Sequence, residues 1–240
     1  MDARGPGERL MSGGHARSLL ERAVDAGRDA PMLTEQYRMH PDICRTVSRL
    51  FYEEKLLTAP RLSRTMFAGR PVVWREEDGD ERAYEHAGYS NEAQAEACVM
   101  EAVAARLHRR DCTVFIISYY NKQRSALLRR LKQAAPAEAA LLRGVEVLSV
   151  DSVQGSEADV VIVTTVRSAA GPGGRSLGGF MADPARLNVA ISRARESCVV
   201  VGHGATMARC TGALWAAVVG DYRNAQLQLA LPIVNLSCRS

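Results

Sequence analysis

The stretch from Val145 to Ser168 constrains the fold of this chain more than any other segment. An alternating apolar run, Val145 to Val150, is followed by a polar turn and then by a near-continuous apolar run, Val160 to Val166. Runs of this length that are rich in β-branched residues are typical of buried strands in a parallel sheet. The sequence therefore predicts two such strands, with the turn between them at a strand end, where open α/β sheets hold their ligands.

The turn itself carries residues suited to a ligand. Gly155 tolerates a positive φ or the close approach of another backbone. Glu157, when ionised, only accepts hydrogen bonds, which is what a ribose hydroxyl requires. An ordinary polar connection between two strands would look similar, and the stretch alone leaves that alternative open.

A second segment, Asp183 to Gly202, predicts a helix followed by a strand. Asp183 is placed to cap the helix and Pro184 to occupy its first turn. Arg186 and Arg193 are seven residues apart, which on a continuous helix puts both on nearly the same face. We therefore expect a cationic edge suited to phosphate, with a solvated helix face as the alternative. The residues expected to pack behind it are Leu187, Ala190 and Ile191.

Strand-like and helix-like segments alternate along the rest of the chain, and this alternation predicts a doubly wound parallel α/β sheet. The further strands are expected at Met32–Glu35, Pro71–Trp74 and Thr113–Ile117. The helices are expected at Ser18–Ala26, Pro41–Tyr52, Asn91–Arg109, around Leu127, Leu128 and Leu131, and at Thr206–Val219 with Leu214, Trp215 and Val218 inward. The apolar side of the Asn91–Arg109 helix is predicted to consist of Ala93, Ala97, Val99, Met100, Val103 and Leu107.

Two segments are predicted to lack regular structure. Arg75–Ser90 crowds acidic side chains together, as solvated runs usually do, and no chemistry is assigned to it. Ala169–Gly179 is too rich in glycine to hold a helix or strand. His40 follows the first expected strand, and with no acidic side chain evident beside it to orient the ring, a structural role is favoured over that of a general base.

Composition allows a nucleic-acid partner without requiring one. The net charge is +4, and arginine supplies nearly all of the positive charge because the only lysines are Lys55, Lys122 and Lys132. The six cysteines form no CxxC pair, and several lie in apolar strand or helix patterns, which is typical of reduced core residues in an intracellular protein. No apolar run reaches the length of a transmembrane helix, so no membrane partner is expected.

Polar and aromatic side chains follow the strand predicted at Thr113–Ile117. They are a hydroxyl, two phenol rings and a cation, which suit contacts with phosphate and stacking on the bases or sugars of a single strand. These side chains belong to Ser118, Tyr119, Tyr120 and Lys122. The alternative is that both tyrosines only cover the edge of the sheet.

Three segments resemble motifs of one helicase family. VDSVQGSEADVVIVTTVRS, from Val150 to Ser168, is similar to motif V. RLNVAISRAR, which ends at Arg195, is similar to motif VI, and LTEQYRMHPDI, which ends at Ile43, resembles the motif IV region. The family is the upframeshift-like type of superfamily 1 helicases, which also includes senataxin-like and NFX1-type zinc-finger helicases. The motifs stand in the family's order, and the resemblance covers most of the chain.

The resemblance implies a second RecA-like domain that contributes half of an ATP site shared with an N-terminal RecA-like domain. By motif match, Arg193 would be the arginine finger and Arg38 would also meet the γ-phosphate. The nucleotide would be lined by Gln154, Gly155 and Glu157. ATP with Mg²⁺ is the expected cofactor, with the magnesium ligands supplied by the N-terminal domain. Single-stranded RNA or DNA is the expected partner, contacted by Ser118, Tyr120, Gln123, Asp151, Ser152 and Arg167, the last of which would also relay between the two sites.

Two features differ from a complete motor of this kind. Tyr119 stands where the family usually has proline, which affects the shape of the loop. No GxxxxGK[ST] segment occurs in the sequence, since Lys55, Lys122 and Lys132 each follow a residue other than glycine. The paired-acid motif that holds magnesium is also missing from it. We therefore expect the chain alone to bind ATP weakly and to hydrolyse it negligibly.

The expected organisation is a lead-in with a residual helix of the first RecA-like domain at residues 1–30, the helicase C-terminal domain at 31–220 and an unassigned tail at 221–240. Two functions of different class remain open. The chain would be the C-terminal half of an ATP-dependent helicase or translocase, or a catalytically inactive nucleic-acid or protein binding module derived from one. Two arginines that face phosphate favour the first. The expected location is intracellular, either cytoplasmic or nuclear.

Overall fold

A computed structural model describes residues 22–23, 25–28, 31–62, 70–84, 88–168, 180–210 and 212–230. The chain divides into two compact units, Met1–Thr34 and Glu35–Ser240. In the first unit the described residues include a helical turn, in which the amide of Ala26 donates to the carbonyl of Arg22 at 3.1 Å. Leu19, Leu20 and Val24, the predicted inward residues of the Ser18–Ala26 helix, lie outside the described residues.

The second unit alternates strands and helices. Its strands, in chain order, are β1 (Glu35–Gln36), β2 (Leu57–Thr58), β3 (Val72–Glu76), β4 (Glu81–Tyr84), β5 (Gly88–Asn91), β6 (Val114–Ser118), β7 (Glu146–Ser149), β8 (Ala158–Thr164) and β9 (Ala194–Gly202). Its helices are α1 (Pro41–Phe51), α2 (Glu92–His108), α3 (Asn121–Gln133), α4 (Pro136–Leu142), α5 (Pro184–Ile191), α6 (Gly204–Cys210) and α7 (Ala213–Ala230).

The central sheet has five strands in the order β3-β9-β8-β6-β7, and every neighbouring pair is parallel. Parallel neighbours require crossover connections, which are supplied here by helices between β3 and β6, β6 and β7, and β8 and β9, whereas a loop joins β7 to β8. The prediction of a doubly wound parallel sheet of the RecA-like type is therefore confirmed. The two apolar runs of the Val145–Ser168 stretch are both strands of this sheet, β7 and β8, and β6 lies between them.

Helices cover both faces of the sheet, and the side chains of each strand alternate between the two cores. On β8, Val161 and Val163 belong to the core formed with α1, α5, α6 and α7. Val160 and Ile162 belong to the core formed with α2, α3 and α4. Because both faces are covered, every residue of β8 is buried, which explains its apolar run Val160–Val163.

The buried face of α2 differs from the prediction. Met100 and Leu107 are 51% and 65% exposed, so their assignment to the apolar side was wrong. The core side of the helix is formed instead mainly by the small residues Ala95, Ala97, Cys98, Ala102 and Ala105. Small side chains let a helix approach a sheet closely, and the largest apolar residues of such a helix need not mark its buried face.

Two predictions, for the segment before β1 and for the segment between β3 and β5, need correction. The strand expected at Met32–Glu35 is confined to Glu35–Gln36, and Met32 and Leu33 are exposed. The acidic segment Arg75–Ser90, predicted to be a solvated run, contains the antiparallel hairpin of β4 and β5. Glu81 of β4 pairs with a cationic residue elsewhere in the fold, as described below, and this contact helps to fix the hairpin.

The predicted Thr206–Val219 helix is two helices, α6 and α7, separated near Gly212, which has a φ of +87°. Trp215 and Val218 are fully buried, as predicted. α7 continues to Ala230 with Tyr222 also fully buried, so the first ten residues of the unassigned tail are helical. The rest of the tail, and Ala169–Gly179, lie outside the described residues.

Four cysteine thiols are free and buried, in agreement with the prediction of reduced core residues; they are Cys44, Cys98, Cys112 and Cys198. Burial raises the pKa of the Cys198 thiol to about 12, so this sulfur stays protonated and unreactive at neutral pH. In the part of the chain that the structure describes, no helix is both long and apolar enough to span a membrane.

Candidate functional site

The loop between β7 and β8, residues 150–157, connects the two edges of the sheet. β7 ends at the carboxyl edge, where Ser149 pairs with Ser118, whereas β8 begins at the amino edge, where Ala158 pairs with Ala194. The prediction that the whole turn lies at one strand end is therefore wrong, because a connection between parallel strands must return along the sheet. Asp151 and Ser152 follow the carboxyl edge, and Gln154, Gly155 and Glu157 lead into the amino edge.

Two arginine side chains meet at the amino edge. Arg38 Nε donates to Glu157 Oε2 at 2.7 Å, and its Nη1 donates to the carbonyl of Ser192 at 3.3 Å. The guanidinium of Arg193 donates to three neutral oxygens, namely Val189 O at 3.2 Å, Ser192 Oγ at 3.2 Å and Ser156 O at 3.5 Å. Burial, and secondarily the charge of Arg38, lower the pKa of Arg193. A polyphosphate anion would relieve both effects.

The loop that carries Arg38 is fixed by a residue that sequence reasoning did not single out. Gln36 Oε1 accepts hydrogen bonds from the amides of Arg38 and Met39 at 2.8 and 2.7 Å. Its Nε2 donates to Met39 O at 2.9 Å and to Thr58 Oγ1 at 2.8 Å. The only signal in the sequence is that Gln36 lies within the motif IV resemblance.

A network of charges supports Glu157 from the side of the sheet. Arg195 lies 3.5 Å from Glu157 and 2.9 Å from Asp159. Burial alone would raise the pKa of Asp159, but two hydrogen bonds from Thr113, together with Arg195 and Arg109, hold it below its ordinary value. Sequence reasoning missed this network because its members come from distant segments of the chain.

His40 caps helix α1. Its Nδ1 accepts a hydrogen bond from the amide of Asp42 at 3.2 Å, and its own amide donates to Arg195 O at 2.8 Å. The expectation that no acidic side chain lies beside the ring is wrong, since the Asp42 carboxylate is 3.6 Å away. Burial lowers the pKa of His40 despite this carboxylate, so the ring is a neutral acceptor at pH 7.

Helix α5 begins as predicted but is shorter than expected. Asp183 Oδ1 accepts from the amides of Ala185 and Arg186 at 2.9 and 3.3 Å, with Pro184 in the first turn. The helix ends at Ile191, so Arg193 lies beyond it. Arg186 instead pairs with Asp151 at 3.0 Å and with Asp183 at 2.8 Å. The prediction that Arg186 and Arg193 share one helix face is therefore wrong.

Replacing Asp183 with alanine is expected to lower the free energy of unfolding by about 1 kcal/mol, the usual contribution of an N-cap. The reason is that two amides of the first turn lose their acceptor and Arg186 loses a carboxylate. Urea unfolding measured by circular dichroism checks this. Asp183→Asn restores a capping oxygen and should recover most of the loss. An unchanged unfolding midpoint in Asp183→Ala would contradict the capping role.

Two of the residues predicted to contact a single-stranded nucleic acid lie at the carboxyl edge of the sheet and are fully buried. The Ser118 hydroxyl accepts from the amide of Tyr120 at 3.2 Å. The Gln123 amide exchanges two hydrogen bonds with the backbone of Asn91, at 2.7 and 3.0 Å. Neither side chain reaches the surface in this structure, and the contact roles of Ser118 and Gln123 stay predictions. The two side chains shape the loop after β6 and fasten α3 to the end of β5.

Arg167 is also turned into the protein. Its Nε and Nη2 donate to both carboxylate oxygens of Glu81, at 2.9 and 3.1 Å, and its guanidinium lies 3.8 Å from the ring centroid of Tyr89. The preceding Val166 has a φ of +68°, which is strained for a β-branched residue. Arg167 therefore has a structural partner within the protein, and its contact with a single-stranded nucleic acid and its relay role both stay predictions.

The remaining predicted contact residues divide between core and surface. Tyr119 is buried and makes edge-to-face contacts with Phe180 at 6.0 Å and Trp215 at 6.2 Å between ring centroids. Tyr119 therefore follows the alternative stated above, in which the tyrosine covers the edge of the sheet. Tyr120 is partly buried, whereas Asp151 and Ser152 are exposed and accessible to a ligand.

Similarity to known proteins covers most of the chain. A family model described as "AAA domain" matches residues 15–205. "Regulator of nonsense transcripts 1" of Caenorhabditis elegans is 32% identical over 234 aligned positions, and the match covers 92% of this chain and 21% of that protein. "ATP-dependent helicase NAM7" of Saccharomyces cerevisiae is 30% identical over 223 residues, 88% of this chain and 22% of that protein.

"Regulator of nonsense transcripts 1" of Dictyostelium discoideum is 29% identical over 240 aligned positions, and the match covers 95% of this chain and 18% of that protein. This chain therefore spans about a fifth of the length of these curated relatives. With its parallel five-stranded sheet and the motifs placed on it, the chain belongs to this AAA domain family, as a C-terminal RecA-like domain of the upframeshift-like superfamily 1 helicases.

Proposed function

We propose that the chain acts as the C-terminal half of an ATP-dependent helicase or translocase. It presents Arg38, Arg193 and Glu157 to a nucleotide whose other contacts come from an N-terminal RecA-like domain. The observation that carries the proposal is the pair of adjacent guanidinium groups at the amino edge, one of them half-buried with only neutral oxygens as its hydrogen-bond acceptors among the described residues.

The two arginines have different supports and therefore different tasks. Arg38 is held in place by Glu157 and by the carbonyl of Ser192, which suits a residue that positions the terminal phosphate. Arg193 is held by weaker contacts with neutral oxygens, so its guanidinium can turn towards negative charge that develops during phosphoryl transfer. A planar, permanently charged group that donates two parallel hydrogen bonds is suited to both tasks.

Three further residues of the β7–β8 loop would hold the nucleotide. Glu157 would accept a hydrogen bond from a ribose hydroxyl, with its orientation set by Arg38 and Arg195. Gly155 has a φ of +86°, and a Cβ added there would meet nothing within 4 Å, so its backbone lies open to a ligand beside Gln154. ATP with Mg²⁺ supplies the phosphoanhydride bond, and the magnesium ligands are proposed to come from the N-terminal domain.

The carboxyl edge is proposed to hold single-stranded RNA or DNA. Tyr120, Asp151 and Ser152 are available there. Helix α3 begins after Tyr120 without a side-chain cap and with no acidic residue in its first turn, which leaves its amides able to meet a phosphate. The names of two relatives refer to nonsense transcripts, which favours RNA. An intracellular location, cytoplasmic or nuclear, fits the free buried thiols.

The test is reconstitution of ATP hydrolysis. Turnover is measured for this chain, for the first RecA-like domain encoded by the same gene, and for their mixture, each with and without oligo(U) or oligo(dT). We expect turnover only in the mixture and expect a single strand to stimulate it, because each half supplies part of one site. If the mixture hydrolyses no ATP while this chain still binds a single-stranded nucleic acid, the proposed helicase function is contradicted. That result would support the alternative, a binding module without catalysis.

A further inference from the structure

The carboxyl edge requires cations to hold a nucleic-acid backbone, and the residues predicted for that edge do not supply them. Arg167 is committed to Glu81 inside the protein. Asp151 is negative and is already paired with Arg186. The positive charge that meets a phosphate on this edge must therefore belong to other residues.

The hairpin of β4 and β5 lies at this edge and has two different faces. Glu81 and Tyr89 lie on the face that holds Arg167, in agreement with the register in which Ala83 pairs with Tyr89. Side chains alternate along a strand, so Arg82 and Tyr84 lie on the opposite face. Glu81 and Tyr89 thus fasten the hairpin to Arg167, whereas the side chain of Arg82 is exposed and can make other contacts.

Two cations meet at the ring of Tyr84. The guanidinium carbon of Arg82 lies 5.2 Å from the ring centroid, and Nζ of Lys122, in the first turn of α3, lies 5.1 Å from it. Both cationic side chains are exposed. Within the described ranges, Lys122 makes no ion pair. Aromatic faces attract cations, so the ring of Tyr84 holds both groups, which are at most about 10 Å apart because each lies close to the same centroid.

We propose that Arg82, Tyr84 and Lys122 form a phosphate clamp for a single-stranded nucleic acid. The inference rests on the proposed function, because it adds contacts to the same nucleic-acid edge. Arg82 and Lys122 bind backbone phosphates, and Tyr84 is a positioning residue that keeps the two cations converged. A nucleotide at the amino edge cannot be the ligand, since the seven residues of β8 separate the edges by about 20 Å.

The clamp is tested by binding of fluorescein-labelled oligo(U) and oligo(dT), each of about 12 nucleotides, to the full chain. Fluorescence anisotropy is measured over a range of salt concentrations. Losing one phosphate contact reduces the slope of log K against log salt by about 0.7, equivalent to about fivefold weaker binding at 0.1 M salt. We expect this result for Arg82→Ala and for Lys122→Ala. Tyr84→Phe should bind like the wild type, whereas Tyr84→Leu should bind more weakly.

Lys132→Ala is the matched control, because Lys132 is an exposed lysine of the same helix, about 15 Å further along it. It should leave affinity and slope unchanged. Equal losses with both oligonucleotides support a contact with the phosphate backbone, and a loss with one of them assigns the clamp to that strand. Wild-type affinity and slope in both Arg82→Ala and Lys122→Ala would overturn the proposal, as would an absence of salt-dependent binding by the wild-type chain.

Failure of the clamp can be distinguished from failure of the proposed motor. ATP hydrolysis by the reconstituted mixture depends on the arginines of the amino edge, which none of these substitutions touches. A mixture that hydrolyses ATP, combined with normal strand binding by the two variants, refutes the clamp alone. A silent mixture, combined with weaker strand binding by the variants, refutes the motor and supports the clamp.

Discussion

Replacing Arg193 with alanine is expected to lower kcat of the reconstituted ATPase by about a thousandfold, the lower end of the contribution of an arginine finger. Arg193 presents a half-buried guanidinium beside Arg38 at the amino edge. Its charge would stabilise the negative charge that spreads over the transferred phosphoryl group. Steady-state ATP hydrolysis, measured with a single strand present, gives kcat and KM separately, and we expect the loss mainly in kcat.

Two further variants define what the loss means. Arg193→Lys keeps the charge but not the planar group with its two parallel donors, so we expect it to recover only part of the activity. Arg129→Ala removes an exposed arginine of α3 that pairs with Glu92 and belongs to none of the three motifs, and it should behave like the wild type. A folded Arg193→Ala chain that keeps more than about a tenth of kcat would contradict the finger assignment.

The fold was predictable where the cause of the structure is local. The centre of β8, Val160–Val163, is apolar because both faces of the strand are covered, and that composition can be recognised in the sequence before any contact is known. The start of α5 was predictable for the same reason, since Asp183 and Pro184 act on the turn in which they lie. Its end was not, because no proline or glycine follows Ile191 to mark it.

The chemistry of the candidate site residues could be predicted from their residue types, but the solvent accessibility of their side chains could not. Ser118, Gln123 and Arg167 have the chemistry of phosphate contacts, yet their hydrogen bonds are made within the protein. The acceptor for Arg167 is Glu81, which lies 86 residues earlier in a segment that looks solvated. A partner so distant along the chain leaves no local pattern. The same ion pair explains why the acidic segment folds into a hairpin.

The structure also supplies a physical link between the proposed sites. The β7–β8 loop touches α5 near both of its ends, through Asp151 and Arg186 towards the carboxyl edge and through Ser156 and Arg193 towards the amino edge. The sequence placed both arginines on one face of one helix and so described a single cationic edge. Because α5 ends before Arg193, the two arginines instead serve opposite edges of the sheet.

Trp215→Ala is expected to have the largest effect on folding, a loss of about 3–5 kcal/mol in the free energy of unfolding, as for other buried aromatic residues cut to alanine. Trp215 is fully buried, and its Nε1 donates to the carbonyl of Met181 at 2.8 Å. Its ring also meets the ring of Tyr119. The substitution therefore leaves a cavity and an unpaired buried carbonyl, and urea unfolding followed by circular dichroism measures the sum of both effects.

Two controls separate these effects. Trp215→Phe fills most of the cavity but leaves Met181 O without its donor, so we expect an intermediate loss of about 1–3 kcal/mol. Leu227→Ala, at a position of the same helix that is 64% exposed, should change stability by less than about 0.5 kcal/mol. If Trp215→Ala were no more destabilising than Leu227→Ala, α7 would not be part of the core. Because Met181 leads into the Asp183 cap, the segment that carries Arg193 would then need another support.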